Sequence, residues 1–302
     1  MKEYIFYGEE YHADLPLLLS KNNLGRVHSI FQNGFNIKMG NSLIFIGNTK
    51  NGRLPFGIHL KEDTLEELLS CVSEDLAVFW KGSSSFFFSN GNILMKLDLQ
   101  SSKPFTNSLP KLNRESQDIF PLFERFLARL IEYGEPIGID ELYVDQFLLY
   151  YLDNQAIEQH ELATKLTELT EAIISNDVTF IQRTLRYFLG RGQGLTPSGD
   201  DILVGLLAVH AVTEMFSHTF IKVLSEIVHS ESITTDVSKE YLKYALNKKF
   251  SSVVVQIMSD ILTDDEENLE QHFTDLVQVG HSSGMDSAFG ILIGMLTLRR
   301  NS

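Results

Sequence analysis

The chain has 302 residues, 43% of them hydrophobic, with 40 acidic against 25 basic side chains and a formal charge of −15. That apolar content belongs to a packed globular protein and excludes disorder over most of the length. The negative balance excludes a nucleic-acid backbone or an anionic membrane surface as the main partner, but not a small anion bound where positive potential is concentrated locally.

Residues 1–19 carry charges inside their apolar stretch and predict no signal peptide. Short apolar runs at 35–39, 42–46, 85–89 and 93–99 are separated by turn signals at Gly40-Asn41, Asn51-Gly52 and Asn90-Gly91. Strands joined by tight turns are expected there, with Asn90-Gly91 the strongest hairpin signal. The acids and apolar spacing of 64–70 predict one short helix. Residues 1–110 therefore read as a small β-rich, barrel-like domain. Cys71, the single cysteine, has no internal partner, and no Cys/His cluster has zinc spacing, which fits a reducing compartment.

Polar and proline residues at 101–117 predict a linker. Beyond it, apolar residues recur at helical spacing over 120–133, 139–152, 156–175, 178–189, 201–216, 220–229, 237–246, 251–262, 267–279 and 286–298. The longest apolar runs, 202–212 and 288–298, are about half of the ~20 residues that a bilayer span needs. They are expected to be buried helices of a cytoplasmic protein. The expected fold class is α+β, with a helical domain over 111–302 after the β-rich one.

The stretch 190–201, GRGQGLTPSGDD, is the most informative in the chain. Gly190, Gly192 and Gly194 permit positive φ angles and can turn their N–H groups into an anion-binding concavity. Thr196-Pro197 reads as a capping side chain followed by proline at the first helical position, so a helix starts with its positive dipole end facing the glycines. Arg183, Arg186 and Arg191 are candidates for the positive charge. Asp200 and Asp201 offer hard oxygen ligands of the kind magnesium prefers beside an anion. Metal binding, base catalysis and capping remain distinct uses of those carboxylates. A purely structural alternative is that the glycines end one helix and the acids complement the dipole of the next. The joint occurrence of three glycines, a Thr-Pro start and two acids favours a functional site.

Residues 280–286, GHSSGMD, begin a second helix in the same pattern. Ser198, Gly199, Asp201, Gly205, Leu206 and Leu207 recur as Ser283, Gly284, Asp286, Gly290, Ile291 and Leu292. The glycine four residues after each aspartate shares its helix face and permits close packing. The two starts are thus expected to face one pocket with Asp201 and Asp286 opposed; the alternative is a helix start duplicated for packing alone. Between them, Thr234, Thr235 and Ser238 offer hydroxyls, though an N-cap by Thr235 or Asp236 is the simpler reading. The His28-Ser29 pair and His210 read as structural.

Together, GRGQGLTPSGDD, the TT-x-x-S of Thr234, Thr235 and Ser238, and GHSSGMD resemble a bacterial family whose named members are the H subunit of oxamate carbamoyltransferase. The likeness runs over most of the chain, including Val27-His28-Ser29 and 36–46, and GLTPSGDD is its distinctive part. The resemblance implies a cytoplasmic subunit of a three-part enzyme of anaerobic allantoin (purine) breakdown. Such an enzyme interconverts oxalurate and phosphate with oxamate and carbamoyl phosphate, so the implied partners are its other subunits and a small anionic substrate. For that chemistry Gly192, Gly194, Thr196 and Ser198 are assigned to anion binding, with Arg191, Gly199, Thr234, Thr235, Ser282, Ser283 and Gly284 around them. Asp200, Asp201 and Asp286 are assigned to metal coordination or proton transfer, and His281 to proton transfer. Magnesium is the one cofactor expected, with no organic cofactor. Two other readings stand beside this one: a self-sufficient magnesium enzyme acting on a phosphorylated or glycosidic small molecule, and a non-catalytic scaffold subunit.

Overall fold

The computed structural model describes residues 2–82, 84–89, 93–110, 112, 120–152, 161–263 and 266–300. The chain divides into two compact units, Met1–Asn107 and Ser108–Ser302.

In chain order the first unit contains β1 (Lys2–Tyr7), β2 (Glu10–His12), α1 (Leu15–Lys21), β3 (Leu24–Phe31), β4 (Gly34–Met39), β5 (Ser42–Gly47) and β6 (Gly57–His59). It continues with α2 (Glu62–Cys71), β7 (Ala77–Lys81), β8 (Ser85–Ser89), β9 (Ile93–Asp98) and β10 (Lys103–Phe105). The strands form one sheet in the order β1-β9-β8-β7-β3-β4-β5-β6-β2-β10. Two residues separate β1 from β2, a link that reaches about 11 Å. A flat sheet would hold its first and ninth strands about 38 Å apart. The sheet must therefore curl until its ends meet, and the link shows where they do. The Gly8 N–H donates to Asp98 O (3.0 Å) and the Glu9 N–H to His59 O (2.9 Å), while Glu9 O accepts from the Lys103 N–H (2.8 Å). Phe35, Ile37, Ile46, Phe88 and Met95 fill the interior, closed over by Leu15 and Leu19 of α1 and by Leu65 and Leu68 of α2.

Gly40-Asn41 joins β4 to β5 as a two-residue turn, with Met39 opposite Ser42 and Gly40 at φ 63°. Asn51-Gly52 closes a turn in which the Gly52 N–H donates to Thr49 O (2.8 Å). Asn90-Gly91 lies outside the described residues, but the strands on either side of it pair antiparallel, Ser89 against Leu94. The expected linker contains β10, which is tolerated because Pro104 sits on the last strand of the sheet, where no neighbour needs its missing N–H. Helix α1 is not among the expected elements, although Asp14 before it and Pro16 in its first turn are helix-start residues. Its seven residues are mostly apolar, and Leu15 and Leu19 are buried.

The second unit is helical: α3 (Phe123–Tyr133), α4 (Val144–Leu152), α5 (Glu161–Ile174), α6 (Val178–Phe188), α7 (Ser198–Thr213), α8 (His218–Ser230), α9 (Asp236–Leu246), α10 (Ser252–Thr263), α11 (Glu266–Val277) and α12 (Ser283–Arg300). Both helices of the GLTPSGDD and GHSSGMD segments begin three residues earlier than their apolar spacing predicts, since Ser-Gly-x precedes the apolar run without breaking the turn. Helix α4 begins later than expected. Residues 137–142 form a loop instead, with the Ile137 N–H on Leu142 O (3.0 Å) and both Asp140 and Glu141 at positive φ. Part of the expected helix at 156–175 lies outside the described residues.

All of α7 from Ser198 to Val209 is buried, as suits a helix that is apolar on every side. It packs against α12 backbone to backbone. A Cβ built on Gly205 would lie 1.9 Å from Ser287 O, and one on Gly290 would lie 2.0 Å from Ile202 O. The contacts are reciprocal and place a local two-fold relation between the helices. No described helix is long and apolar enough to cross a membrane. Gly205→Ala or Gly290→Ala is expected to lower stability by about 3 kcal/mol by forcing the helices apart. An unchanged urea midpoint in both variants would contradict this packing.

Candidate functional site

The site begins where α6 stops. Gly190, Gly192 and Gly194 all hold positive φ, at 74°, 119° and 84°. Space restricts Gly192 as well, because a Cβ there would lie 2.6 Å from Ser198 N. Among the described residues the backbone N–H groups of Gly192, Gln193 and Gly194 find no acceptor, so the loop presents open donors. The cap differs from expectation. Pro197 is itself the N-cap of α7, with no side-chain cap, because Thr196 is turned away to pair with Ser283 (Oγ1 to Oγ, 3.0 Å).

The second helix start meets the first. Ser198 Oγ lies 3.5 Å from Ser282 Oγ, so two hydroxyl contacts tie the mouths of α7 and α12 together. Gly199 and Gly284 play matching parts: a Cβ on the first would strike Phe188 O of α6 at 2.1 Å, and on the second Leu276 O of α11 at 1.8 Å. Each helix start is thus clamped on the helix before it.

Three buried carboxyls stand at these mouths, and their surroundings divide them. Asp200, 0% exposed, is fully engaged: Oδ1 accepts from the Gly190 N–H (3.0 Å), and Oδ2 accepts from Ser238 Oγ (2.8 Å) and from Thr234 Oγ1. Burial raises its pKa, opposed by the Thr234, Gly190 and Ser238 donors. Asp286, also 0% exposed, accepts the Gly138 N–H on Oδ1 (2.8 Å), but its Oδ2 has no hydrogen-bond partner. Burial raises its pKa too, opposed by Gly138, Ser198 and Ser282. Asp201, 7% exposed, also has an Oδ2 without a partner. Burial pushes its carboxyl well above the ordinary value of 3.8; the Ser283 hydroxyl opposes this, and the charges of Asp286 and Asp200 add to it. A buried polar atom with no partner is costly, and Asp201 and Asp286 carry one each.

Thr234 and Thr235 hold the loop, and the N-cap by Thr235, the simpler of the two readings of this stretch, is present. Thr234 donates to Asp200, while Thr235 caps α9 through the Ser238 N–H (3.0 Å) and donates to Leu195 O. Arg191 stays beside the glycines, its guanidinium 3.8 Å from the centroid of the Tyr187 ring. The other two arginines are engaged elsewhere, Arg186 with Glu231 and Arg183 over Phe180. His281 is exposed on the second loop. In the first unit, His28 Nδ1 lies 3.1 Å from Ser29 Oγ, which also accepts from Asn36 Nδ2 (3.1 Å).

Among the described residues no group of three His, Cys, Asp or Glu could hold a metal ion. Of the three acids expected to hold magnesium, Asp200 is engaged by the loop and by α9. Two neighbours of the site had no sequence signal. Gly138 reaches Asp286 from 148 residues away, out of a stretch that reads as helix. Tyr241 on α9 has its phenol pKa raised by burial and by the nearby Asp201 charge, which only the fold brings close.

Comparison with known families gives two matches. The description "Oxamate carbamoyltransferase subunit AllH" matches residues 188–295, which contain both helix mouths, and "AllH family N-terminal domain" matches residues 9–103. No solved structure matches the chain.

Asp200→Ala is expected to cost about 2–3 kcal/mol, because it leaves the buried Gly190 N–H and two hydroxyls without their acceptor. Faster proteolysis within 190–197, together with a lower denaturation midpoint, is the readout. A pH dependence follows from Asp201. Below 3.8 its carboxyl is protonated both folded and unfolded. As the pH rises from there toward the raised folded value, the unfolded chain loses a proton that the folded chain keeps, and stability falls. Urea midpoints measured across that window should decline for the wild type and decline less for Asp201→Asn.

Proposed function

Because the chain belongs to the AllH family of oxamate carbamoyltransferase subunits, we propose that its paired helix mouths bind the small anionic substrate of carbamoyl transfer. The observation that carries this reading is the meeting of two like helix starts, with open N–H donors on one side and the buried Asp201 and Asp286 on the other. The glycine loop, the dipole of α7 and Arg191 suit a carboxylate or phosphate at the outer edge. The carboxyl pair suits proton transfer within.

In this scheme the amide nitrogen of oxamate attacks the carbonyl carbon of carbamoyl phosphate. A C–N bond forms, the C–O bond to phosphate breaks, and phosphate leaves with the electron pair. Asp201 or Asp286 takes the proton that the nitrogen loses, and the raised pKa of each makes it a stronger base than an ordinary carboxylate. Donors of the loop stabilise charge on the departing phosphate. The reverse direction makes oxamate and carbamoyl phosphate from oxalurate and phosphate, the direction a catabolic role in purine breakdown would use.

The test is co-purification with the partner subunits, followed by an assay of phosphate release from carbamoyl phosphate that depends on oxamate. The reconstituted enzyme should turn over, the chain alone should not, and Asp201→Asn should lower the rate by about 100-fold or more. Turnover of a phosphate ester by the isolated chain, abolished by Asp201→Asn, would refute the subunit reading.

A further inference from the structure

We infer that the outer face of the β1-β9-β8-β7-β3 part of the sheet is a contact surface for a second copy of this chain, paired about a two-fold axis that runs along β8. The inference concerns assembly and does not depend on the substrate reading. Side chains alternate along a strand, so the register between strands fixes which of them share the outer face and in what order. One row across these strands reads Ile5, Lys96, Phe87, Phe79 and Leu24, each residue opposite the next. Its apolar members are uncovered: Ile5 is 50% exposed, Phe79 43% and Leu24 61%, with Phe87 half-buried among them. Lys96, the one charge in the row, is ion-paired with Asp98 at 2.7 Å. At ~4.8 Å between strands the row spans roughly 19 Å, an apolar stripe of the kind that marks an interaction surface.

The charges beside the row decide what covers it. On one side Glu3 stands on β1 and Arg26 on β3, level with each other; on the other side Asp98 stands on β9, level with Lys81 on β7. Within each pair the acid and the base lie equally far from β8, in opposite directions. A half-turn about β8 exchanges β1 with β3 and β9 with β7 and keeps every row level. It brings Glu3 of one copy to Arg26 of the other, Asp98 to Lys81, Ile5 to Leu24, Lys96 to the ring of Phe79, and Phe87 to its own equivalent. A half-turn about the row instead makes no charge pair, setting Lys81 against Ala77 and Asp98 against Leu94. Strand β8 itself fits the axis. A residue there meets its own copy, where a charge would face a like charge, and β8, SFFFS, carries none while each of the four strands beside it does.

Because the sheet curls, β1 and β3 bend away from a facing copy, so β9, β8 and β7 make the centre and the long side chains of Glu3 and Arg26 the rim. A centre of three short strands falls well below the ~800 Å² per partner of a standard interface, which means a weak, reversible dimer. Glu3 and Asp98 oppose an anionic membrane on this face, and a partner of another sequence would not require acids and bases mirrored about one strand.

Sedimentation velocity of the full chain from about 1 to 200 μM should show monomer–dimer exchange with a Kd in the micromolar range. Phe87→Ser, at the axis, and Lys81→Glu, which sets two acids together twice, should each raise that Kd by about tenfold or more. In a Cys71→Ser background, Ser89→Cys on β8 should be joined to its own copy by a bismaleimide whose reach matches the ~10 Å between packed sheets, whereas Arg26→Cys, roughly 20 Å from its copy, should not. A monomer throughout the concentration range, a dimer unmoved by both Phe87→Ser and Lys81→Glu, or cross-linking at position 26 and not at 89 would each overturn the inference. So would a chain that stays monomeric alone and covers this face only against another subunit of the enzyme or against phosphatidylserine–phosphatidylcholine vesicles. Should Phe87→Ser not fold, Lys81→Glu still decides, since Lys81 is exposed and has no ion pair among the described residues.

Discussion

The site exists because two helix backbones touch. Where Gly205 meets Ser287 and Gly290 meets Ile202, no side chain separates α7 from α12, and the helices approach more closely than any pair spaced by Cβ atoms. That contact sets the distance between their N-termini, about two turns away. It therefore fixes Asp201 against Asp286, Thr196 against Ser283 and Ser198 against Ser282. A wider crossing would leave two ordinary acidic helix starts, each open to water.

Forcing two carboxyls into one dry place is unfavourable, and the surroundings show how the fold tolerates it. Each acid lies in the first turns of a helix, where the dipole favours negative charge. Asp200 receives three donors and becomes a strut between the glycine loop and α9. Asp201 and Asp286 keep one unpaired oxygen each. Neighbouring residues in the sequence, Asp200 and Asp201 thus do different work: the first holds the loop and the second faces the pair.

The β-rich unit follows a different constraint. Its first strand and its second are joined by two residues yet lie near opposite ends of the sheet order, and only closure of the sheet reconciles the two facts. Short strands such as Gly57–His59 and Lys103–Phe105 leave almost no alternation to read, and they form because the curled sheet offers them an edge. The longer hairpin of β4 and β5 was legible, since Gly40-Asn41 punctuates two clear apolar runs.

What the sequence determined by itself was local: the positive-φ glycines of 190–194, the two acidic helix starts and the S-G-x-D-x-x-x-G repeat, because each depends on residues within a turn or two of one another. The repeat even announced the close packing, since a glycine one turn beyond an aspartate has little other use on an apolar helix. The tertiary structure decided what each polar group does. Thr196 left its cap for Ser283, Thr234 and Thr235 turned to the loop, and Arg183 and Arg186 found partners away from it. Gly138 and Tyr241 joined the site from distant segments with no motif of their own. A hydrogen bond is settled by which donor reaches an acceptor within about 3 Å, and that depends on how helices pack rather than on the order of residues along them.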